Sequence, residues 1–223
     1  MNRFRDRRDA GRRLGARLDR FRGRDVIVLG LPRGGVPVAA EVAAMLDAPL
    51  DVILVRKLGL PFQPEVAMGA IAEGGIRYLD QDLIRNCGVT DPELAEVEAA
   101  EWRVLEAREA ALRPGRRRLA LAGRTVIIVD DGIATGATAR VACRAARDLG
   151  AAHIVLAAPV ASGDTLATIV EADEIVCVST PTVFRAVGEH YEHFGQTTDA
   201  EVVAALDEAV SRISGRHPEG RRP

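Results

Sequence analysis

The chain has 223 residues, a formal net charge of −2, 48% hydrophobic residues and 4% aromatic residues. This length suits one α/β domain with an appendage, and the apolar content excludes an intrinsically disordered chain. A nearly neutral chain has no general attraction for nucleic acid, so we predict no nucleic-acid partner. The three cysteines are widely spaced and odd in number, which argues against a disulfide framework.

The charge is unevenly distributed along the chain. Residues 3–24 hold ten arginines, which indicates either a basic amphipathic arm or, as we favour, a solvated first helix. The start of the chain has no apolar core typical of a secretory signal, and no apolar run reaches the length of a membrane span. We therefore expect a reduced, cytoplasmic protein without a membrane segment.

The hydrophobic pattern predicts alternating helices and strands. In chain order we expect a helix over 9–21, a strand over 25–30, a helix over 34–46, a strand over 51–55, a mobile loop rich in Gly and Pro over 58–75, a hairpin over 70–79, a helix over 91–112, a strand over 126–129, a helix over 139–149, a strand over 154–158, a helix over 164–171, a strand over 174–178 and a helix over 198–213. Continuous apolar strands that alternate with helices predict an α/β fold with a mostly parallel sheet and helices on both faces.

This pattern also predicts how the chain is organised. We expect a single domain over residues 1–213 with its core at about 25–178, and an inserted loop, hairpin and helices over 58–115. A small hood should follow at 179–198, and the polar end of the chain, 214–223, should be a disordered tail.

Residues 126–138 are the most informative segment. Four β-branched residues run directly into two carboxylates, Asp130 and Asp131, and a Thr-Gly-Ala-Thr turn precedes the next helix. Ligands of parallel sheets bind at the carboxyl ends of the strands, and glycines at a helix start let backbone N–H groups approach a phosphate. The alternative is an ordinary strand-turn-helix junction with two solvated aspartates.

This segment resembles the signature of the type I phosphoribosyltransferases, which use phosphoribosyl pyrophosphate (PRPP). The resemblance implies that Asp130 and Asp131 are catalytic: they hold the ribose hydroxyls and help to stabilise positive charge on the sugar. It implies that the 5-phosphate binds to a loop formed by Ala134, Thr135, Gly136, Ala137 and Thr138. The segment departs from the family pattern at residues 132–134, where many members carry bulkier residues and a Thr.

Two further segments resemble the pyrophosphate-binding parts of the same family. Arg33, Gly34 and Gly35 follow the first strand, where a guanidinium and an unobstructed backbone suit a phosphate. Arg56 and Lys57 follow the second predicted strand, at the base of a loop that closes over PRPP in the family. Lys57 is the only lysine of the chain, and we assign it a catalytic part in stabilising the departing pyrophosphate. The alternatives are a glycine turn and a solvated basic strand end.

The predicted loop over 60–73 would then be a lid that keeps water from the reacting sugar. Glu65 and Glu73 are candidates for metal or substrate contact, although we favour solvated loop acids for both. The resemblance implies Mg²⁺ as the cofactor, bridging mostly to substrate oxygens, with Asp130 and Asp131 as indirect ligands or ligands through the substrate.

The segment after the last strand would recognise the acceptor. Phe184, Tyr191 and Phe194 are candidates for stacking on an acceptor ring, and three aromatic residues equally make a small core. His190 and His193 share a helical spacing, but two histidines are too few for a metal site.

Together these segments predict a Mg²⁺-dependent phosphoribosyltransferase that moves the phosphoribosyl group from PRPP to a nucleobase-like nitrogen acceptor and releases pyrophosphate. The resemblance also implies a homodimer. Two alternatives remain open: a non-catalytic regulator that binds PRPP or a nucleotide, and an enzyme that uses water or phosphate as the acceptor.

Overall fold

The computed structural model of the protein describes residues 3–215. Its helices are α1 (Arg7–Arg17), α2 (Gly35–Leu46), α3 (Gln81–Asn86), α4 (Asp91–Leu112), α5 (Ala137–Asp148), α6 (Gly163–Ala167) and α7 (Asp199–Ser214), with short 3-10 turns at Asp19–Phe21 and Val187–His190. Its strands are β1 (Val26–Gly30), β2 (Leu50–Val52), β3 (Val55–Leu60), β4 (Gln63–Ala72), β5 (Ile76–Leu79), β6 (Thr125–Val129), β7 (His153–Val160) and β8 (Glu174–Ser179).

Five strands form a parallel sheet in the order β2-β1-β6-β7-β8. Successive residues of a strand point to opposite faces, and both faces here are covered. In β1, Val28 packs with residues of α1, α2 and α7, whereas Ile27 and Leu29 pack with residues of α5. Double coverage explains why these strands are apolar without alternation, and it confirms the predicted α/β fold.

The inserted segment differs from its prediction. The chain leaves the parallel sheet after Val52, and Val55 already begins a second, antiparallel sheet of order β3-β4-β5. The predicted mobile loop is therefore mostly two paired strands, although the hairpin around Glu73 is confirmed as the β4-β5 turn. Leu58 and Met68 are fully buried in this sheet, so apolar burial orders a segment whose Gly and Pro content predicted mobility.

The glycines of β3 and β4 allow close approach of strands. A Cβ at Gly59 would overlap the backbone of Pro64, and a Cβ at Gly69 would lie 2.5 Å from the carbonyl oxygen of Tyr78. Glycine in a strand marks close backbone approach as well as looseness. The Gly and Pro content therefore predicted a mobile loop where the structure has paired strands, because composition does not distinguish a glycine that allows close packing from one in a loose loop.

A buried ionic network joins the inserted segment to β2. Arg113 follows α4 and donates to Asp51 at 2.8 Å, to Glu73 at 2.5 Å and to the carbonyl oxygen of Val52 at 2.6 Å. Its side chain is 3% exposed, and those of Asp51 and Glu73 are 7% and 1% exposed. Glu73 is thus a buried partner of Arg113, so our preference for a solvated loop acid at this position was wrong.

The hood is attached to the beginning of the chain. Backbone bonds run from Phe4 N–H to the His190 carbonyl and from Glu192 N–H to the Phe4 carbonyl, both at 2.8 Å. At the other end, α7 continues through Ser214, so a tail cannot begin at 214 as predicted, and residues 216–223 lie outside the described residues. Within residues 3–215, the helices include none with the length and apolarity needed to span a membrane.

Candidate active site

The acidic pair lies at the carboxyl end of β6, in the middle of the parallel sheet. The loop after β1 packs directly against it: a Cβ on Gly34 would overlap the Asp131 carboxylate, and a Cβ on Gly35 would lie 2.6 Å from the Val129 carbonyl oxygen. Glycine is required at both positions because the two loops touch. The structure therefore brings together the predicted acidic pair and the predicted Arg-Gly-Gly segment.

A basic residue from α1 reaches the acidic pair. Arg7 Nε donates to Asp131 Oδ2 at 2.8 Å, and the two side chains are 13% and 15% exposed. Arg7 also donates to the Gly195 carbonyl at 2.6 Å and stacks on the Phe194 ring, with 4.0 Å from its guanidinium carbon to the ring centroid. This single side chain connects the acidic pair to the hood.

Both carboxyl groups of the acidic pair have raised pKa values. Burial and then the charge of Asp131 raise the pKa of Asp130 to about 7, opposed by the Asp131 backbone N–H and by Arg7. Burial also raises the pKa of Asp131, and the hydrogen bond from Arg7 opposes this rise. Perturbed carboxylates at the carboxyl end of a parallel strand make the acidic pair a candidate functional site.

The predicted phosphate loop runs into the start of α5. Gly136 is the N-cap residue with φ +73°, and no side chain caps the helix there. The first backbone N–H groups of α5 therefore remain without partners inside the helix. Ala134, Thr135, Ala137 and Thr138 are all exposed around them, an arrangement that suits an anion.

Two neighbouring cavities lie beside this loop. The smaller, of about 310 Å³, is lined by Arg33, Arg56, Arg108 and Thr138 among others. The larger, of about 550 Å³, lies between the β3-β4 hairpin, α4 and α5, and it is also lined by Arg56 and Thr138. The structure thus places Arg33, Arg56 and the end of the phosphate loop around one space.

Lys57 lies farther into the hairpin. It lines the larger cavity, and its Nζ donates to the Glu65 carboxylate and to the Glu65 carbonyl, each at 3.1 Å. Arg56 pairs instead with Glu101 of α4 at 2.6 Å. Both residues belong to β3 rather than to the end of a parallel strand, so the predicted position of the pair was wrong. Both nevertheless line the larger cavity together with Thr138 of the predicted phosphate loop.

The three predicted hood aromatics have different surroundings. Tyr191 is 3% exposed, packs against Phe4 and donates its hydroxyl to the Asp131 carbonyl at 2.5 Å. Phe184 is half-buried and stacks on His190 at 5.4 Å, whereas Phe194 is 39% exposed. Tyr191 therefore belongs to a small core, which was the alternative interpretation, and Phe194 presents part of its ring to solvent.

The donor set for a metal ion is small. Within residues 3–215, groups of three or more His, Cys, Asp or Glu side chains suited to a metal ion are absent. Asp130 and Asp131 would offer the hard carboxylate oxygens that Mg²⁺ prefers. Because Mg²⁺ takes six ligands, these residues suit an ion that is held mainly by a phosphorylated substrate.

Sequence reasoning missed Arg7, Arg108 and the hydrogen bond from Tyr191. Arg7 was one of ten similar arginines, and its partner lies 124 residues away, so no local signal distinguished it. Arg108 shares a helical face with the buried Leu105 and Leu112. That spacing is a signal in the sequence that places Arg108 near the core.

Comparison with known proteins identifies the family of this chain. The sequence pattern of the phosphoribosyl transferase domain matches residues 6–192, and the chain belongs to this family. Its parallel sheet with covered faces is the type I phosphoribosyltransferase fold. The predicted family and fold class are thereby confirmed.

Individual relatives agree with the family. Two proteins from two strains of Mycobacterium tuberculosis, each named "putative phosphoribosyl transferase", are 53% identical to this chain over 210 residues, which are 94% of this chain and 47% of each relative. The chain thus spans about half the length of these relatives. The crystal structure of TT1426 from Thermus thermophilus is 43% identical, with a TM-score of 0.82, over 92% of this chain and 98% of that one.

Proposed function

We propose that the protein transfers the phosphoribosyl group of PRPP to a nitrogen atom of a nucleobase-like acceptor and releases pyrophosphate, with Mg²⁺ as cofactor. The observation that carries this proposal is the direct contact between the Gly34-Gly35 loop and the acidic pair Asp130-Asp131. This contact brings the loop that we propose binds the pyrophosphate next to the carboxylates that we propose bind the ribose hydroxyls, near the uncapped start of α5.

The 5-phosphate would bind at residues 134–138. The free N–H groups at the start of α5 and the exposed hydroxyls of Thr135 and Thr138 supply donors. The partial positive charge of a helix start adds to this attraction. Binding here fixes one end of PRPP and leaves its ribose beside β6.

The ribose hydroxyls would donate to Asp130 and Asp131. In the reaction the bond between C1 and the pyrophosphate oxygen breaks as the bond from the acceptor nitrogen to C1 forms, and the sugar gains positive charge in between. Two carboxylates near the sugar stabilise that charge, and positioning supplies much of the rest. The acceptor loses its proton to solvent or to a basic group on the ligand, and no covalent protein nucleophile is needed.

The pyrophosphate would lie beside Arg33, Gly34, Gly35, Arg56 and Lys57. Positive charge stabilises the negative charge that this group gains as it departs. Bound Mg²⁺ would add charge neutralisation at the phosphate oxygens. Lys57 must exchange its contact with Glu65 for the substrate, and Glu65 is 92% exposed and free to move away.

The hood would meet the acceptor. Phe194 offers a partly exposed ring, and Phe184 is half-buried nearby in the same segment. Tyr191 would position the acidic pair rather than contact the acceptor, because its hydroxyl donates to the Asp131 carbonyl. The exposed ring of Phe194 favours a planar acceptor over water or phosphate.

Calorimetric titration with PRPP and Mg²⁺ tests the proposal. The parent should bind PRPP, and the Asp130→Asn/Asp131→Asn double variant should lose most of this binding. A matched control is Asp207→Asn/Glu208→Gln, two exposed acids of α7. The next step is to screen nitrogen acceptors for pyrophosphate release.

The outcomes separate the candidate functions. PRPP binding followed by pyrophosphate release with a nitrogen acceptor supports the transferase. PRPP binding without turnover with any acceptor would assign the protein to the non-catalytic binding proteins. Absence of PRPP binding by folded parent protein would refute the proposal.

We also propose, from the family resemblance, that the protein is a homodimer and acts in the cytoplasm. Light scattering coupled to size-exclusion chromatography tests the first point, since a monomer mass at working concentration would contradict it. Cell fractionation tests the second.

A further inference from the structure

The cavity of about 310 Å³ beside β1 holds an unusual concentration of positive charge. Three arginines line it, namely Arg33 of the β1 loop, Arg56 of β3 and Arg108 of α4. Thr138, at the end of the phosphate loop, closes one side. Two of these arginines belong to the proposed pyrophosphate site, whereas Arg108 has no role in it so far.

Arg108 is directed to this cavity by the packing of α4. Residues spaced three and four positions apart share one face of a helix. Leu105 and Leu112 on that face are 2% and 0% exposed, because they pack in the core. Arg108 lies between them, has 30% of its side chain exposed and lines the cavity.

One carboxylate forms long ion pairs with two of these arginines. Asp199 Oδ1, at the start of α7, lies 4.0 Å from Arg33 and 3.5 Å from Arg108. Charge-assisted hydrogen bonds are shorter, at about 2.7–2.9 Å. Arg56 has its own close partner, Glu101. The cavity therefore retains positive charge that a single, half-exposed carboxylate does not satisfy.

We propose that Arg108 is a third pyrophosphate-binding arginine, and that Asp199 is an internal anion that the pyrophosphate displaces from Arg33 and Arg108. The identity of the ligand rests on the proposed function. A diphosphate carries several negative charges and can accept from three guanidinium groups at once. Asp199 occupies two of these groups before the ligand enters, so it lowers the affinity for the ligand that Arg108 raises.

The proposal predicts that substitutions of Arg108 and Asp199 change the affinity for pyrophosphate in opposite directions. Arg108→Gln should weaken the binding of inorganic pyrophosphate by about tenfold or more, because a charged donor is lost. Asp199→Asn should tighten the same binding by about two- to fivefold, because a nearby negative charge is lost. A purely structural Arg108–Asp199 pair would instead make both variants bind pyrophosphate equally or both more weakly.

The experiment is calorimetric titration of the whole protein with inorganic pyrophosphate, and separately with PRPP, each with Mg²⁺. Matched controls are Arg103→Gln on α4, whose side chain donates to the Ala99 carbonyl, and Asp207→Asn on α7, which pairs with Arg116. Both controls should bind like the parent. Thermal unfolding of each variant verifies that it is folded.

The outcomes distinguish this proposal from the proposed function. If the parent binds PRPP but Arg108→Gln binds pyrophosphate like Arg103→Gln, or Asp199→Asn binds it more weakly than the parent, the Arg108 proposal is overturned while the transferase proposal stands. If pyrophosphate binding shows both opposite effects but PRPP neither binds nor reacts, the cavity assignment stands and the transferase proposal fails. No pyrophosphate binding by the parent would overturn the Arg108 proposal as well.

Discussion

Asp130→Asn should change how protein stability depends on pH. The substitution removes one negative charge from the acidic pair and keeps a side-chain oxygen, which accepts from the Asp131 N–H at 2.9 Å in the parent. In the folded parent, burial and the charge of Asp131 raise the pKa of Asp130 from 3.8 to about 7. The folded state therefore holds this proton more tightly than the unfolded state does.

The sign and size of the effect follow from that difference. Between about pH 4 and pH 7 the folded protein binds more protons at Asp130, so the free energy of unfolding that this residue contributes falls as the pH rises. The difference between these two pKa values corresponds to at most about 4 kcal/mol. Because Asp130 is partly exposed to solvent, we expect about 2 kcal/mol.

The measurement is urea denaturation of parent and variant at pH 5, 6, 7 and 8 without ligand. The variant should already be somewhat more stable than the parent at pH 5, and the difference should grow to about 2 kcal/mol at pH 8. Asp207→Asn is the control for a change of net charge, since this acid is 65% exposed. A difference between parent and Asp130→Asn that does not grow with pH would refute the reasoning.

Three further substitutions test other contacts. Arg113→Met leaves the buried carboxylate of Glu73 without its cation and should lower the free energy of unfolding, measured in urea, by about 3–5 kcal/mol. Adding Glu73→Gln to this variant should restore part of the lost stability. A double variant no more stable than Arg113→Met would contradict the network. Arg7→Gln removes the cation beside Asp131, so the pKa of this acid should rise and PRPP binding should need a higher pH than in the parent. Calorimetry measures the PRPP affinity of each protein at pH 6 and at pH 8. If the ratio of the affinities at the two pH values is the same for variant and parent, Arg7 does not have this role. Gly34→Ala places a Cβ on the Asp131 carboxylate. It should weaken PRPP binding by about tenfold or more and also lower the thermal midpoint, because overpacking costs about 1–3 kcal/mol. Parent-like affinity and thermal midpoint would show that the loop can move aside.

Local pattern predicted the parts of the fold that depend on near neighbours in the chain. The apolar run of β6 predicted a strand buried on both faces, and the Thr90-Glu93 pair predicted the capping box that starts α4, with Thr90 N–H donating to Glu93 at 2.8 Å. The hairpin at Glu73 and α5 after Gly136 were predicted for the same reason. These signals are visible because strand, helix and cap preferences act over a few residues.

Composition misled where burial decided the outcome. Residues 58–75 contain Gly and Pro as a mobile loop would, yet Leu58, Met68 and Ile71 are fully buried in paired strands. Glu73 looked like a loop acid because its cation, Arg113, lies 40 residues away. Neither the burial nor the pairing is encoded in the neighbouring residues.

The sequence by itself determined the doubly covered parallel sheet, the acidic pair at the end of β6 and the glycine turn at the start of α5, for which phosphate binding remains a prediction. Each of these rests on residues that are contiguous in the chain, so spacing and chemistry were enough. Only the tertiary structure decided that Arg7 pairs with Asp131 across 124 residues and that Arg108 joins Arg33 in one cavity. Such contacts depend on how helices pack on the sheet, and packing is a property of the whole core rather than of any one segment.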